Sequence, residues 1–304
     1  MKPSYYIIAS LAFIISFASG RQVEDDPLPR NCLDIRGKGF SQVGHYVVYQ
    51  TTNNHTEHED AIMIYCDEKD GMKLPKEEDE APPRSAATHC KDILDQGVTQ
   101  DGYYIIYPFS EHPETAVLVH CDQSTAGGGW TLINRRDEEY DNPIDFQRTF
   151  DEYAEGFGNV NYDFYIGNEV IHSLTDSSIN ELWVTIGTKD GETGYEHYQY
   201  FHVGARVFPE YGTPPYMLDS GFYEGTLGDG MEVYNGMGFT TLDQDNDIFD
   251  DDNCARKYGG GWWYKMCVMT NLNGLYGNSH FRWYSTEHDY PYLRKAQMMV
   301  RPLI

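Results

Sequence analysis

Positive charge is what this sequence has least of: 22 Lys and Arg stand against 48 Asp and Glu, a formal net charge of −26. Phosphate backbones are held by concentrated Lys and Arg, so nucleic acid is excluded as a partner, and an anionic membrane surface is disfavoured on the same ground. Long apolar runs are also missing. The longest, Tyr6 to Phe17, falls short of the ~20 residues that a bilayer span requires, and no later stretch exceeds it. No heptad pattern encodes a coiled-coil stalk. No Cys-x-x-Cys occurs and the histidines are scattered, which excludes a zinc ribbon. Gly-x-Ser-x-Gly and His-Glu-x-x-His are both absent, and Asp219-Ser220-Gly221 lacks the flanking glycines and partner histidine of a serine nucleophile. Acids are so abundant that paired carboxylates carry no information. No catalytic activity is expected.

The N-terminus carries the order of a secretory signal: Lys2, the apolar stretch, then the small residues Ala18-Ser19-Gly20. A signal peptide over 1–20 and a secreted, extracellular mature chain follow as expectations. Six cysteines in an exported chain read as three disulfides. Order along the chain favours neighbours: Cys32–Cys66, Cys90–Cys121 and Cys254–Cys267. Asn54-His55-Thr56 is a glycosylation sequon that marks Asn54. The 25 Tyr and 5 Trp point to large aromatic packing surfaces.

A repeat organises the front half. Cys32, Asp34, Ile35, Gly39, Gln42, Gly44, Tyr46 and Tyr49 recur 58 positions later as Cys90, Asp92, Ile93, Gly97, Gln100, Gly102, Tyr104 and Tyr107. Both copies then cross a polar loop into Ala, an apolar run and Cys-Asp, at Ala61 to Asp67 and at Ala116 to Asp122. Each copy predicts a hairpin, with strands at His45 to Tyr49 and Tyr103 to Tyr107 followed by a second strand ending in cysteine. Between them the chain is rich in Lys, Glu, Asp and Pro, the composition of a solvated linker. The expected plan is therefore a degenerate first subdomain at 21–69, an acidic, proline-containing linker at 70–87 and a main domain at 88–304. In that domain Phe146 to Phe157 and Gly167 to Leu174 are the best helix segments. Glu181 to Thr188, Glu196 to Val207 and Lys295 to Arg301 read as strands, for an α+β class with an antiparallel sheet and a loop-rich C-terminal half.

Several motifs then carry a resemblance. Gly127-Gly-Gly-Trp130 through Arg136, Asp145-Phe146, Gly156-Phe-Gly158 and Gly167-Asn-Glu169 with His172 and Leu174 come first. Thr240 to Asp247, Asn253-Cys-Ala255, Gly261-Trp-Trp-Tyr264, Asn271 to Tyr276 and Met298 to Pro302 follow in order. Together they resemble the fibrinogen-related (fibrinogen C-terminal-like) domain of fibrinogen chains, ficolins, tachylectins, angiopoietins and tenascins. The resemblance implies a calcium-binding recognition module outside the cell. Its expected ligands are acetylated or other surface glycans, bound lectin-like in innate defence. The alternative is an angiopoietin- or tenascin-type ligand for a protein receptor, without sugar binding. Homo-oligomers, built by the domains themselves, are a further expectation.

Asp243 to Asp252 packs six carboxylates into ten residues. Like charges this close repel unless they are solvated or hold a hard cation. An EF-hand is excluded, because the sixth position from Asp243 is Ile248 and the twelfth is Cys254. The resemblance implies Ca2+ held by the side chains of Asp245 and Asp247 and by the carbonyl of Phe249. The second carbonyl falls on Asp251 by its spacing from Phe249, or on Asp252 by its spacing to Cys254; Asp251 is preferred. In lectin members an acetyl pocket sits beside this loop. Here it would use Tyr258, a cis peptide between Met266 and Cys267, and the next residue, where Val268 replaces the family's histidine. His280, Phe281 and Tyr284 are candidates to complete it, while Trp262 and Trp263 read as core.

Overall fold

The structure is a computed structural model. It describes residues 87–303 apart from 114, 140–142 and 208–211, together with the backbone of three earlier strands. The signal segment 1–20, the Cys32–Cys66 pairing and Asn54 lie outside the described residues. The chain divides into two compact units, Met1–Arg84 and Ser85–Ile304.

In the first unit β1 (Gly44–Gln50), β2 (Asp60–Cys66) and β3 (Met72–Lys73) form an antiparallel sheet in that order. Gly44 lies opposite Cys66. The first strands of the second unit are β4 (Gly102–Ile106) and β5 (Val117–Asp122), in which Gly102 lies opposite Cys121. Gly44 and Gly102 are equivalent positions of the repeat, and so are Cys66 and Cys121. The two copies thus form hairpins of one register.

The second unit continues through β6 (Trp130–Asp137), β7 (Phe157–Gly158), β8 (Phe164–Tyr165), β9 (Asn180–Thr188), β10 (Thr193–Val203), β11 (Leu218–Gly225), β12 (Trp283–Tyr284), β13 (Asp289–Tyr290) and β14 (Leu293–Pro302). The main sheet runs β11-β10-β9-β14-β6-β5-β4, with β7 and β8 attached through β6, and every pairing is antiparallel. The last strand therefore fills a gap between β9 and β6. Met298, Met299 and Val300 of β14 are buried there, as a central strand covered on both faces requires.

The helices are short: α1 (Cys90–Asp95), α2 (Phe150–Glu155), α3 (Asn168–Asp176) and α4 (Cys254–Tyr258). The α+β class expected from the sequence is present. Two of the helices lie within or across the predicted segments, but α1 and α4 were not predicted: each spans under two turns, and α2, equally short, was read only as part of the longer segment Phe146 to Phe157. Capping secures α1 instead. The His89 side chain accepts from Asp92 N, Asp92 Oδ2 accepts from His89 N, and the Cys90–Cys121 disulfide ties its first residue to β5. In α2 the same reciprocal cap is made by Thr149 and Glu152. Among the described residues no helix is long and apolar enough to cross a membrane.

His120 on β5 has its Nδ1 buried without a hydrogen-bond partner and its ring edge-on to Tyr103. Burial first, then the Arg135 charge, lowers its pKa from 6.5 to about 4. A depressed folded pKa means that the neutral form is favoured by folding. The resulting stability is present above pH 6.5 and is lost as pH falls toward 4, to a limit of ~3 kcal/mol. Urea titrations at pH 7 and pH 4.5 should show the wild type losing stability relative to His120→Phe on acidification. Parallel losses in both proteins would rule this out.

Candidate functional site

The acidic run is an ordered loop because the surrounding framework engages it at several points. Thr240 pairs with Trp262, Asn246 Nδ2 donates to Phe239 O at 2.7 Å, and buried Asn253 donates to Thr241 O at 2.9 Å while its Oδ1 caps α4 through Arg256 N at 2.8 Å. Ile248 N donates to Lys265 O at 3.1 Å, and the Cys254–Cys267 disulfide closes the far side.

Within the loop the six carboxylates have different roles. Asp243 Oδ1 accepts from Thr241 Oγ1 at 2.8 Å and from Phe150 N at 2.9 Å, so it anchors the first turn of α2. Asp252 accepts from Asn253 N, and its own N–H donates to Phe249 O over a long 3.4 Å. Asp247 accepts from Phe249 N at 2.8 Å and Cys254 N at 2.9 Å. Partial burial pushes the Asp247 carboxyl up, these two backbone bonds oppose the rise, and the adjacent Asp245 carboxylate adds to it. The Asp245 and Asp247 carboxylates, which influence each other electrostatically, and the weakly engaged Phe249 carbonyl of the same loop are oxygen donors of the kind that suits a hard dication. Asp251 lies exposed on the same loop.

Tyr258 ends α4, half-buried, and its ring meets the His280 ring edge-on, with centroids 4.9 Å apart. Lys257 Nζ lies 5.5 Å from the centres of both the Phe249 and Tyr258 rings, which links loop and tyrosine through a cation. Nothing in the one-dimensional pattern singled out Lys257; only its position between two rings does. Met266 is 71% exposed, Cys267 is buried and Val268 is half-buried.

Three expectations for this region are sharpened or corrected. Among the described residues no peptide is cis, so the Met266–Cys267 bond is trans, and the chain turns instead through a left-handed Cys267 with φ 69°. Phe281 is fully buried against the Arg136 guanidinium and belongs to the core, not to the rim. Tyr284 pairs with the Thr270 segment, its N–H donating to Thr270 Oγ1. Of the three residues weighed as substitutes, His280 is the one placed against Tyr258. Trp262 and Trp263 are buried core, as read.

The family model for the C-terminal globular domain of fibrinogen beta and gamma chains matches residues 86–303. The chain belongs to this family. Among its fibrinogen-domain relatives, Ryncolin-4 of Cerberus rynchops is 36% identical over 222 residues, covering 70% of this chain and 61% of Ryncolin-4. Techylectin-5A of Tachypleus tridentatus is 37% identical over 224 residues, covering 71% and 74%. Among solved structures, the fibrinogen-like globe domain of human ANGPTL2 matches with a TM-score of 0.62 at 33% identity, covering 71% of this chain and 99% of that domain. The chain spans less than two-thirds of the length of Ryncolin-4. The fibrinogen-domain match begins at residue 86, so the first hairpin, β1 to β2, lies outside it.

Proposed function

We propose that this protein is a secreted, calcium-binding recognition protein that binds acetylated or other surface glycans, lectin-like, and catalyses nothing. The contact between Tyr258 and His280 carries the reading. It sets an imidazole from a distant segment beside the expected tyrosine, where the neighbouring position holds Val268. An aromatic face with a polar ring edge beside it suits a small amphipathic group such as an acetamide. Calcium would be held by the carboxylates of Asp245 and Asp247 and the carbonyls of Phe249 and Asp251. Its chemistry there is charge neutralisation, which stiffens the segment leading into Cys254 and Tyr258. The pocket then consists of Tyr258, Met266, Cys267, Val268 and His280. Assembly into homo-oligomers would raise avidity.

One observation favours a second reading, a ligand for a protein receptor of the angiopoietin or tenascin type. Val268 and the exposed Met266 make the rim more apolar than a sugar site needs.

Passage over immobilised N-acetylglucosamine separates the two. Retention in calcium, release by acetate or chelator, and a loss of ~1–3 kcal/mol of binding in His280→Ala are expected. In parallel, calcium at about a hundredfold its dissociation constant should stabilise the wild type by about 2.7 kcal/mol, and Asp245→Asn should abolish the effect. Wild type that flows through the resin in calcium would sink the glycan reading and leave the receptor reading. Identical melting with and without chelator would remove the calcium site.

A further inference from the structure

Away from the acidic loop, α3 and β10 bring together His172, Asp176 and His202, whose ligating atoms all lie within 4.8 Å of one another. His172 and Asp176 are one helical turn apart and so share a face of α3. His202 stands near the end of β10, against which α3 lies.

We propose that these three side chains form a binding site for a late transition-metal dication, zinc foremost, distinct from the calcium loop. The donor set argues the class. Two imidazoles and one carboxylate are borderline donors that suit zinc and its neighbours, whereas calcium takes oxygen throughout.

The spacing agrees. His202 Nε2 lies 3.5 Å from Asp176 Oδ1. Ligands about 2.0–2.2 Å from a tetrahedral zinc stand roughly 3.4 Å from each other.

Orientation supplies the third argument. His172 Nδ1 lies 2.8 Å from Val203 O, and a carbonyl can only accept, so Nδ1 carries the proton and the Nε2 lone pair is left for a metal. A backbone carbonyl behind a ligating histidine is the usual way in which the ring is held and its tautomer set. The N–H of the same Val203 donates to Thr175 Oγ1 at 3.1 Å, so the residue after His202 is tied to α3 through both of its backbone groups. The strand end and the helix face are thereby held in place before any ion arrives. Asp176, 65% exposed, gives the ion access from solvent. With three protein ligands the remaining position goes to water.

The test uses the full-length protein, stripped with chelator and returned to buffer containing calcium, then titrated with Zn2+ by calorimetry. A saturable event is expected in the wild type. It should weaken by more than about tenfold in His202→Ala and in Asp176→Asn, since even an outer-shell partner is worth roughly 10–100-fold. Asp245→Asn should titrate like the wild type. Zinc should also raise the thermal midpoint of the wild type and leave that of His202→Ala where it was. Asp176→Asn changes an exposed side chain and preserves the test should the histidine variant fold poorly. Wild-type zinc affinity in both variants, or no uptake by the wild type, overturns the site.

Discussion

Arg136→Ala is expected to lower the unfolding free energy by about 3–5 kcal/mol, and the thermal midpoint of this unit by roughly 10 °C. Arg136 is buried, and its guanidinium lies 3.9 Å from the Phe146 ring centre, 4.2 Å from that of Tyr276 and 4.9 Å from that of Phe281. It donates to Leu272 O at 3.3 Å and Gly274 O at 3.0 Å, and its Nε stands 3.9 Å from Asp163 Oδ1. Asp163 is also buried and accepts from Tyr276 OH, Asp137 N and Ile144 N. Truncating the arginine would leave that carboxylate without its cation in a low-dielectric interior, and two carbonyls without their donor. The three remaining donors to Asp163 keep the loss from exceeding the stated range. Chemical denaturation of wild type and variant measures it, and the double change Arg136→Met with Asp163→Asn should recover a large part. A loss under about 1 kcal/mol would show that the charge is screened and that the pair adds little.

Replacing Cys90 and Cys121 together by serine should cost about 3.5–4 kcal/mol, and the same exchange at Cys254 and Cys267 about 3 kcal/mol. The ranking follows from loop length, since the first bridge closes a separation of 31 residues and the second one of 13. A disulfide acts mainly by removing conformations from the unfolded chain, and a longer loop loses more of them. The first exchange also frees the N-terminal end of α1, a six-residue helix that would not persist alone. The second frees the acidic loop, so the proposed calcium-dependent stabilisation should shrink with it. Denaturant midpoints of the two double variants decide the ranking. A reversed order would mean that native-state contacts at the bridges outweigh the chain entropy.

Much of the fold was legible because its signals are local. A run of β-branched and aromatic residues, then a second run ending in cysteine, marked both hairpins, and the repeat made each a check on the other. Strands β9, β10 and β14 were read within a few residues of their ends. The helix α1 escaped because a cap and a disulfide, and no periodic face, sustain it.

The site was legible in part for a related reason. The acidic run announces itself by its density of carboxylates, and the family resemblance points to Tyr258. Asp243 looks like one more carboxylate in that run, yet it anchors Phe150, a residue 93 positions earlier. Phe281 and His280 are neighbours in sequence, but one turns into the Arg136 cluster and the other toward Tyr258.

By itself, then, the sequence determined what depends on composition and near neighbours: the acidic balance, the Cys90–Cys121 and Cys254–Cys267 pairings, the hairpin repeat and the motifs of the fibrinogen C-terminal domain. Tertiary structure alone decided which distant side chains meet. The last strand inserts between β9 and β6, His280 closes on Tyr258, and His202 comes to His172 and Asp176. Such meetings depend on strand register and on the path of each turn, and a single left-handed residue such as Cys267 redirects everything that follows it.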